Sequence, residues 1–278
     1  KPRKSQGFRL DQPHEFVTIE NLLFDYDNRP GIYINGCSML DATPQTHPWG
    51  FRKGMVIRDN YIYCTGRSAI HFSGDGVYAG YNVIRFPEKV YRPTCTGRET
   101  SDGSSTNDNR ALTMRGWRWT AEGNDYIVHP NIAYDRRTGI NDAEGIMHER
   151  HANSIVRDSV MRNNVGNRYL CLWDAEIDGL VIEGNRVGDD GDPAIHIHGA
   201  NRSIRNVRIE NNEVTLNKIQ VTAKEGQNIT IRGNRFVGEG EGKIVVGDLA
   251  WVKENANFTA EIRLPKKPAT KPTTKPAK

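Results

Sequence analysis

The sequence predicts an all-β solenoid built from stacked short parallel strands, and three observations predict it. A six-residue apolar/polar alternation recurs along the chain with a base spacing near 24 residues. A second strand-like motif, usually closed by Asn, precedes most copies of the first. Neither motif is long enough to bury its apolar face alone, whereas stacked copies bury each other's.

The first motif reads GFRLDQ (7–12), GIYING (31–36), AIHFSG (69–74), ALTMRG (111–116), GIMHER (145–150), YLCLWD (169–174), AIHIHG (194–199), KIQVTA (218–223) and KIVVGD (243–248). Successive starts are 24, 38, 42, 34, 24, 25, 24 and 25 residues apart, so three repeats in the first half are enlarged. Alternation over five or six residues, rich in Ile and Val and bounded by Gly, Asn and Asp, is a strand signature. Ile70, Phe72, Leu112, Met114, Leu170, Leu172, Ile195, Ile197, Ile219 and Val221 are expected to form two inward columns, with Ile32, Ile34, Ile244 and Val246 at the ends. At roughly 1.5–3 kcal/mol per buried large aliphatic side chain, such columns dominate the stability.

The second motif reads FVTIEN, MVIRDN, VYAGYN, YIVHPN, SIVRDS, LVIEGN, VRIENN and ITIRGN. Asn closes seven of these copies, at 21, 60, 82, 131, 185, 212 and 234, and Ser159 closes the other. Asn tolerates left-handed backbone, and its amides can hydrogen-bond in a stacked ladder. Leucine-rich repeats need a Leu skeleton in another frame, and propeller blades need nearly twice the length.

Strand, Asn turn, short strand and then G-I-x-I-x-G, at about 24 residues per coil, resembles the right-handed parallel β-helix of the pectate-lyase-like superfamily over about residues 7–250. The resemblance implies a β-helix of eight to nine coils. It speaks to fold far more than to chemistry. Residues 1–264 are expected to form this domain, and the Lys/Pro/Thr-rich residues 265–278 an extended tail. That tail is expected to be a solvating terminus, or a link to another module or an anionic surface. The first strand comes within the opening dozen residues, so an upstream cap or coils are expected to be missing; nor does an apolar leader follow Lys-Pro-Arg-Lys.

The net charge of +4 resides in the termini. Without residues 1–4 and 265–278 the chain holds 30 basic and 34 acidic residues, and a basic face for nucleic acid is not expected. No apolar run is long enough to span a membrane. The four cysteines, 37, 64, 95 and 171, lack C-x-x-C spacing, which argues against a zinc site. Cys37 and Cys95 lie in two long insertions and are candidates for a bridge.

Alternate residues of the G-I-x-I-x-G strands point outward: Arg9 and Asp11, Tyr33 and Asn35, His71 and Ser73, Thr113 and Arg115, Met147 and Glu149, Cys171 and Trp173, His196 and His198, Gln220 and Thr222. The middle of this face concentrates His, Arg, Glu and Trp. Insertions 37–54 and 85–110 flank it and are expected to wall a groove. Trp117 and Trp119 border the same region and, with Tyr33, His71, Trp173 and His198, are candidate substrate platforms. The segment NDAEGIMHERHAN supplies Asp142, Glu144, His148, Glu149, Arg150 and His151, with His148 breaking the alternation at an inward phase.

Three functions compete. β-Elimination on a uronate glycan needs a base, an acid for the leaving oxygen and cations to stabilise the enolate. His148, His196, Arg115 and Arg150 are of those types. In several families with this fold the base is Arg or Lys and Ca2+ neutralises the carboxylate, and Asp189, Asp190 and Asp192 are candidate Ca2+ ligands. Glycoside hydrolysis needs a carboxyl pair, for which Asp142, Glu144, Glu149 and Asp174 are the candidates. The NDAEG segment faintly resembles the N-T-D-G motif of polygalacturonases, but the next coil lacks that family's Asp pair and no R-I-K follows. H-E-R faintly resembles the alginate C5-epimerase motif, with Ile146 and Met147 in place of Asp and Pro. The third function is a non-catalytic glycan binder, an adhesin or tailspike-like solenoid. The expectation is a secreted or cell-surface monomer whose partner is a polysaccharide.

Overall fold

A computed structural model describes residues 8–10, 15–26, 32–34, 52–64, 68–86, 109–129, 143–148, 155–173, 175–188, 194–214, 218–237, 243–246 and 259–263. Among them are 24 strands and no helix, and every strand pairing is parallel. All nine G-I-x-I-x-G copies are strands. They stack in one register: Phe8, Ile32, Ile70, Leu112, Ile146, Leu170, Ile195, Ile219 and Ile244. The chain is a parallel β-helix.

Each coil contributes to three faces. The first face carries the G-I-x-I-x-G strands. The second stacks Ile19, Ile57, Ala79, Ala121, Met161, Ile182, Ile209, Ile231 and Ala260. The third stacks Phe24, Ile62, Ile84, Tyr126 and Gly166, then Val187, Val214 and Phe236. The ten inward residues expected between Ile70 and Val221 are all fully buried. Tyr126 also points into this core. Its hydroxyl donates to the Arg168 carbonyl at 2.9 Å, and its ring lies where a Cβ on Gly166 would fall, 2.0 Å away. Burial pushes the Tyr126 phenol well above its ordinary pKa.

The turn between the second and third faces holds the asparagine ladder: Asn60, Asn82, Asn124, Asn164, Asn185, Asn212 and Asn234, all buried. Each Asn donates its Nδ2 to the Oδ1 of the next at 2.9–3.0 Å. The same Oδ1 accepts the preceding Asn's backbone N–H at 3.0–3.2 Å. The second Nδ2 hydrogen goes to a backbone carbonyl one coil back, as from Asn164 to Ala121 at 2.9 Å. An interior member is thereby fully satisfied without water.

This corrects the expected turn at three coils. Asn21 is not a ladder member: it takes the left-handed position (φ 57°), and Leu22 stands at the ladder position, donating its N–H to Asn60. Asn124 and Asn164 occupy the places expected for Asn131 and Ser159. Asn131 lies outside the described residues, and Ser159 is buried in register with Leu180 on the second face. The left-handed residue just before each ladder Asn is Asp59, Tyr81, Gly123, Asn163, Gly184, Asn211 or Gly233.

The long insertions lie outside the described residues except for their ends, as do Cys37, Cys95 and the tail. Among the described residues no helix is long and apolar enough to cross a membrane.

Candidate functional site

Strand stacking on the first face aligns two columns of alternate residues in register. One runs Arg9, Tyr33, His71, Thr113, Met147, Cys171, His196, Gln220 and Val245. In the other, Ser73 pairs with Arg115 and Trp173 pairs with His198 and then Thr222. Neighbouring strands are ~4.8 Å apart, so Arg115 and Trp173, two coils apart, are separated by about 10 Å along the axis.

At the centre of the second column is an indole–imidazole cluster. The Trp173 and His198 rings stack with centroids 4.3 Å apart at 13°. His196 meets both edge-on, at 5.6 Å from Trp173 and 5.5 Å from His198. All three are half-buried. Stacking on the indole restricts the His198 ring, and its Nδ1 has no hydrogen-bond partner among the described residues. The strand pairing supplies the arrangement: Trp173 and His198 are register partners on the strands Leu170–Trp173 and Ile195–Glu210.

The first column is more covered than alternation alone implies. His71 retains 8% exposure, Cys171 1% and Thr113 none, although all three point away from the core. The Thr113 and Ser68 hydroxyls are 2.5 Å apart, a pair that no repeat pattern marks. Arg110, buried on the Thr113 strand, was missed as well; its backbone pairs with Ser68 and Glu144. Arg115 is half-buried.

Trp117 and Trp119 separate. Trp117 is half-buried, with the Arg157 guanidinium 5.1 Å from its ring centroid. Trp119 is fully buried. It occupies an inward column between Val77 and Ser159, and its face is closed to a ligand, which corrects the expected platform. A small Ser in the next coil leaves room for the indole. Sequence spacing could not place it, because the strand ends at Trp117 and the left-handed Arg118 (φ 49°) resets the alternation.

The backbone of His148 stands in register with Met114 and Leu172. Tyr33 pairs with His71. Glu149, Arg150, His151, Asp142, Asp174, Asp189, Asp190 and Asp192 lie outside the described residues, and so does any Ca2+ site made from the last three. Among the described residues no three His, Cys, Asp or Glu side chains converge as a metal site. Comparison of the chain with family models, curated proteins and solved structures returns no match.

Proposed function

We propose that this β-helix, as a member of the pectate-lyase-like superfamily, is a secreted or cell-surface polysaccharide lyase. Its substrate is a uronate-containing glycan lying along the first face. One observation carries the reading: the half-exposed Trp173, His196 and His198 cluster lies on the same outward face as Arg115 and His71. Sugar rings stack on aromatic faces, imidazoles move protons near neutral pH and a guanidinium stabilises developing negative charge.

The chemistry is a β-elimination. A base removes the proton beside the carboxylate, and its electron pair becomes a carbon–carbon double bond. The glycosidic carbon–oxygen bond breaks, and the leaving oxygen takes a proton from an acid. His196 and His198 are the described groups suited to proton transfer, with His148 and Arg150 as further candidates from the central cluster. Arg115 is the described cation for the enolate. A Ca2+ ion, if Asp189, Asp190 and Asp192 hold one, would neutralise the uronate carboxylate.

Hydrolysis ranks second on a specific ground. The two outward positions within each repeat motif, where their side chains are described, carry no Asp or Glu: they are His71, Thr113, Arg115, Cys171, Trp173, His196, His198, Gln220 and Thr222, and the carboxylate of Asp75, just beyond its motif, is ion-paired with Arg118. The carboxyl pair would have to come from Glu144, Glu149, Asp142 or Asp174. A product assay tests the reading. The protein is incubated with pectate, alginate, glycosaminoglycans and neutral glycans, with and without Ca2+, while ultraviolet absorbance and reducing ends are followed. Both rise together in elimination. Reducing ends alone indicate hydrolysis, and silence from folded protein indicates a binder.

A further inference from the structure

The corner where the first face turns into the second carries Arg118, Arg157 and Arg205 beside Asp75, Asp158 and Asp178, and one of the three arginines is left unmatched. Arg118 clasps both oxygens of Asp75, from Nε at 2.6 Å and from a terminal nitrogen, and the field of Asp158 also falls on Arg118. Asp178 is the register neighbour of Arg157, yet the next coil occupies both its oxygens. Oδ2 accepts from Arg205 Nε at 3.0 Å and Oδ1 from Asn206 Nδ2 at 2.7 Å. Asp158 takes left-handed backbone (φ 45°), and its Oδ1 lies 2.7 Å from where a Cβ on Gly179 would fall. Arg157 is exposed and has no described carboxylate within ion-pair distance. Its guanidinium instead lies over the Trp117 ring, 5.1 Å from the centroid.

We infer that Arg157, held on Trp117, is a carboxylate-binding subsite for an acidic glycan at the edge of the first face; this rests on the glycan reading above. A cation over an indole is held by the ring's electron-rich face while its N–H donors stay free for a ligand. The planar guanidinium fork matches a carboxylate with two parallel hydrogen bonds, which a lysine in the same place could not do. The three aspartates of the corner balance its three arginines, so no long-range field gathers anions there. Recognition is local, by the one fork without a carboxylate. Position ties the subsite to the first face. Trp117 lies two residues beyond Arg115 on the strand Asn109–Trp117, about 7 Å along it, and Arg157 is on the next coil. A glycan whose uronate meets Arg115 therefore reaches Arg157 with a neighbouring unit, so the subsite holds the chain without touching the reacting bond.

NMR of the Arg157 Nε–H signal, assigned with Arg157→Gln, tests this on the full chain. The titrants are oligomers of galacturonate, alginate and hyaluronan, and the same oligomers with their carboxyl groups reduced to alcohols. A saturable shift is expected with at least one acidic oligomer and none with its reduced form. Arg157→Gln, with unchanged circular dichroism, is expected to bind that oligomer about tenfold or more weakly, the loss of a charge-assisted contact. Arg186→Gln removes an equally exposed arginine from the third face and is expected to bind as wild type does. An Arg157 signal that stays fixed with all three acidic oligomers overturns the inference, as do equal affinities for wild type and Arg157→Gln or equal shifts from the reduced oligomer. Ultraviolet absorbance of the same samples reports the lyase reading separately: Arg157-dependent binding without elimination keeps the subsite and removes the lyase.

Discussion

Adjacent asparagines in this chain do different physical work. Asn163 is exposed and supplies left-handed backbone (φ 55°); Asn164 is buried and its side chain makes four ladder hydrogen bonds. Asn164→Asp keeps the shape but removes both donors and sets a carboxylate against the Asn185 Oδ1. At about 1–3 kcal/mol for each buried group left unsatisfied, a loss of about 3 kcal/mol or more is expected from urea unfolding. Asn163→Gly preserves the permitted backbone and should shift stability by no more than about 0.5 kcal/mol. Equal effects at the two positions would contradict the ladder.

Glu122 makes a pH-dependent contribution on the second face. Arg162 donates to it at 2.9 Å, Tyr78 at 3.2 Å and Tyr81 at 3.4 Å. The Arg162 hydrogen bond, working against burial, holds the Glu122 carboxyl below its ordinary pKa. Burial first and then Glu122 push the Tyr78 phenol up to about 12. A carboxyl with a lowered folded pKa stabilises the protein above its unfolded pKa, and that stability is lost as pH falls through the folded value. Glu122→Gln should therefore flatten the acid limb of stability against pH, measured by urea midpoints between pH 6 and pH 3. An unchanged acid limb would remove Glu122 from the account.

At the scale of the strand, Leu170–Trp173 and Ile195–Glu210 each present one face to the core and one outward. Their inward Leu170, Leu172, Ile195 and Ile197 are fully buried, so the fold does not depend on His196 or His198. Ala at both histidines is expected to leave the urea midpoint within about 1 kcal/mol while turnover falls at least tenfold, the loss of a positioned proton-transfer group. Normal turnover in that variant would refute the site. The strands of the first face were legible because Ile and Leu alternate in every copy at nearly constant spacing. The ladder was misread where Ala121 and Met161 replace the usual Ile, since the Val- and Ile-rich runs drew the alignment to Asn131 and Ser159. Trp119 was misread for a related reason: alternation does not carry across a left-handed residue. The Trp173–His198 stack depends on register between coils, which spacing implied but ring orientation alone could establish.

Across the whole molecule, each coil is supported only by its neighbours, and the asparagine ladder links seven of them. Stability in such an array is nearest-neighbour in kind and weakest at the ends. Hydrogen exchange should be slowest at the amides of Ala121, Met161 and Ile182 and fastest at Thr18–Glu20 and Thr259–Arg263; the reverse order would contradict a ladder-centred core. The division of labour among faces follows the same axis. Exposed apolar side chains flank the Arg85–Asp125 pair on the early third face, ion pairs run along its later coils, and the indole–imidazole cluster sits on the first.

The central claim is that a uronate glycan lies on Trp173, His196 and His198. Histidine-detected NMR during titration with acidic oligosaccharides tests it most directly, with each of the eight histidines assigned by substitution. The account predicts that the His196 and His198 ring signals shift together and saturably while His129, beside the third face, stays in place. Ring signals of His196 and His198 that remain fixed while glycan binds would contradict it.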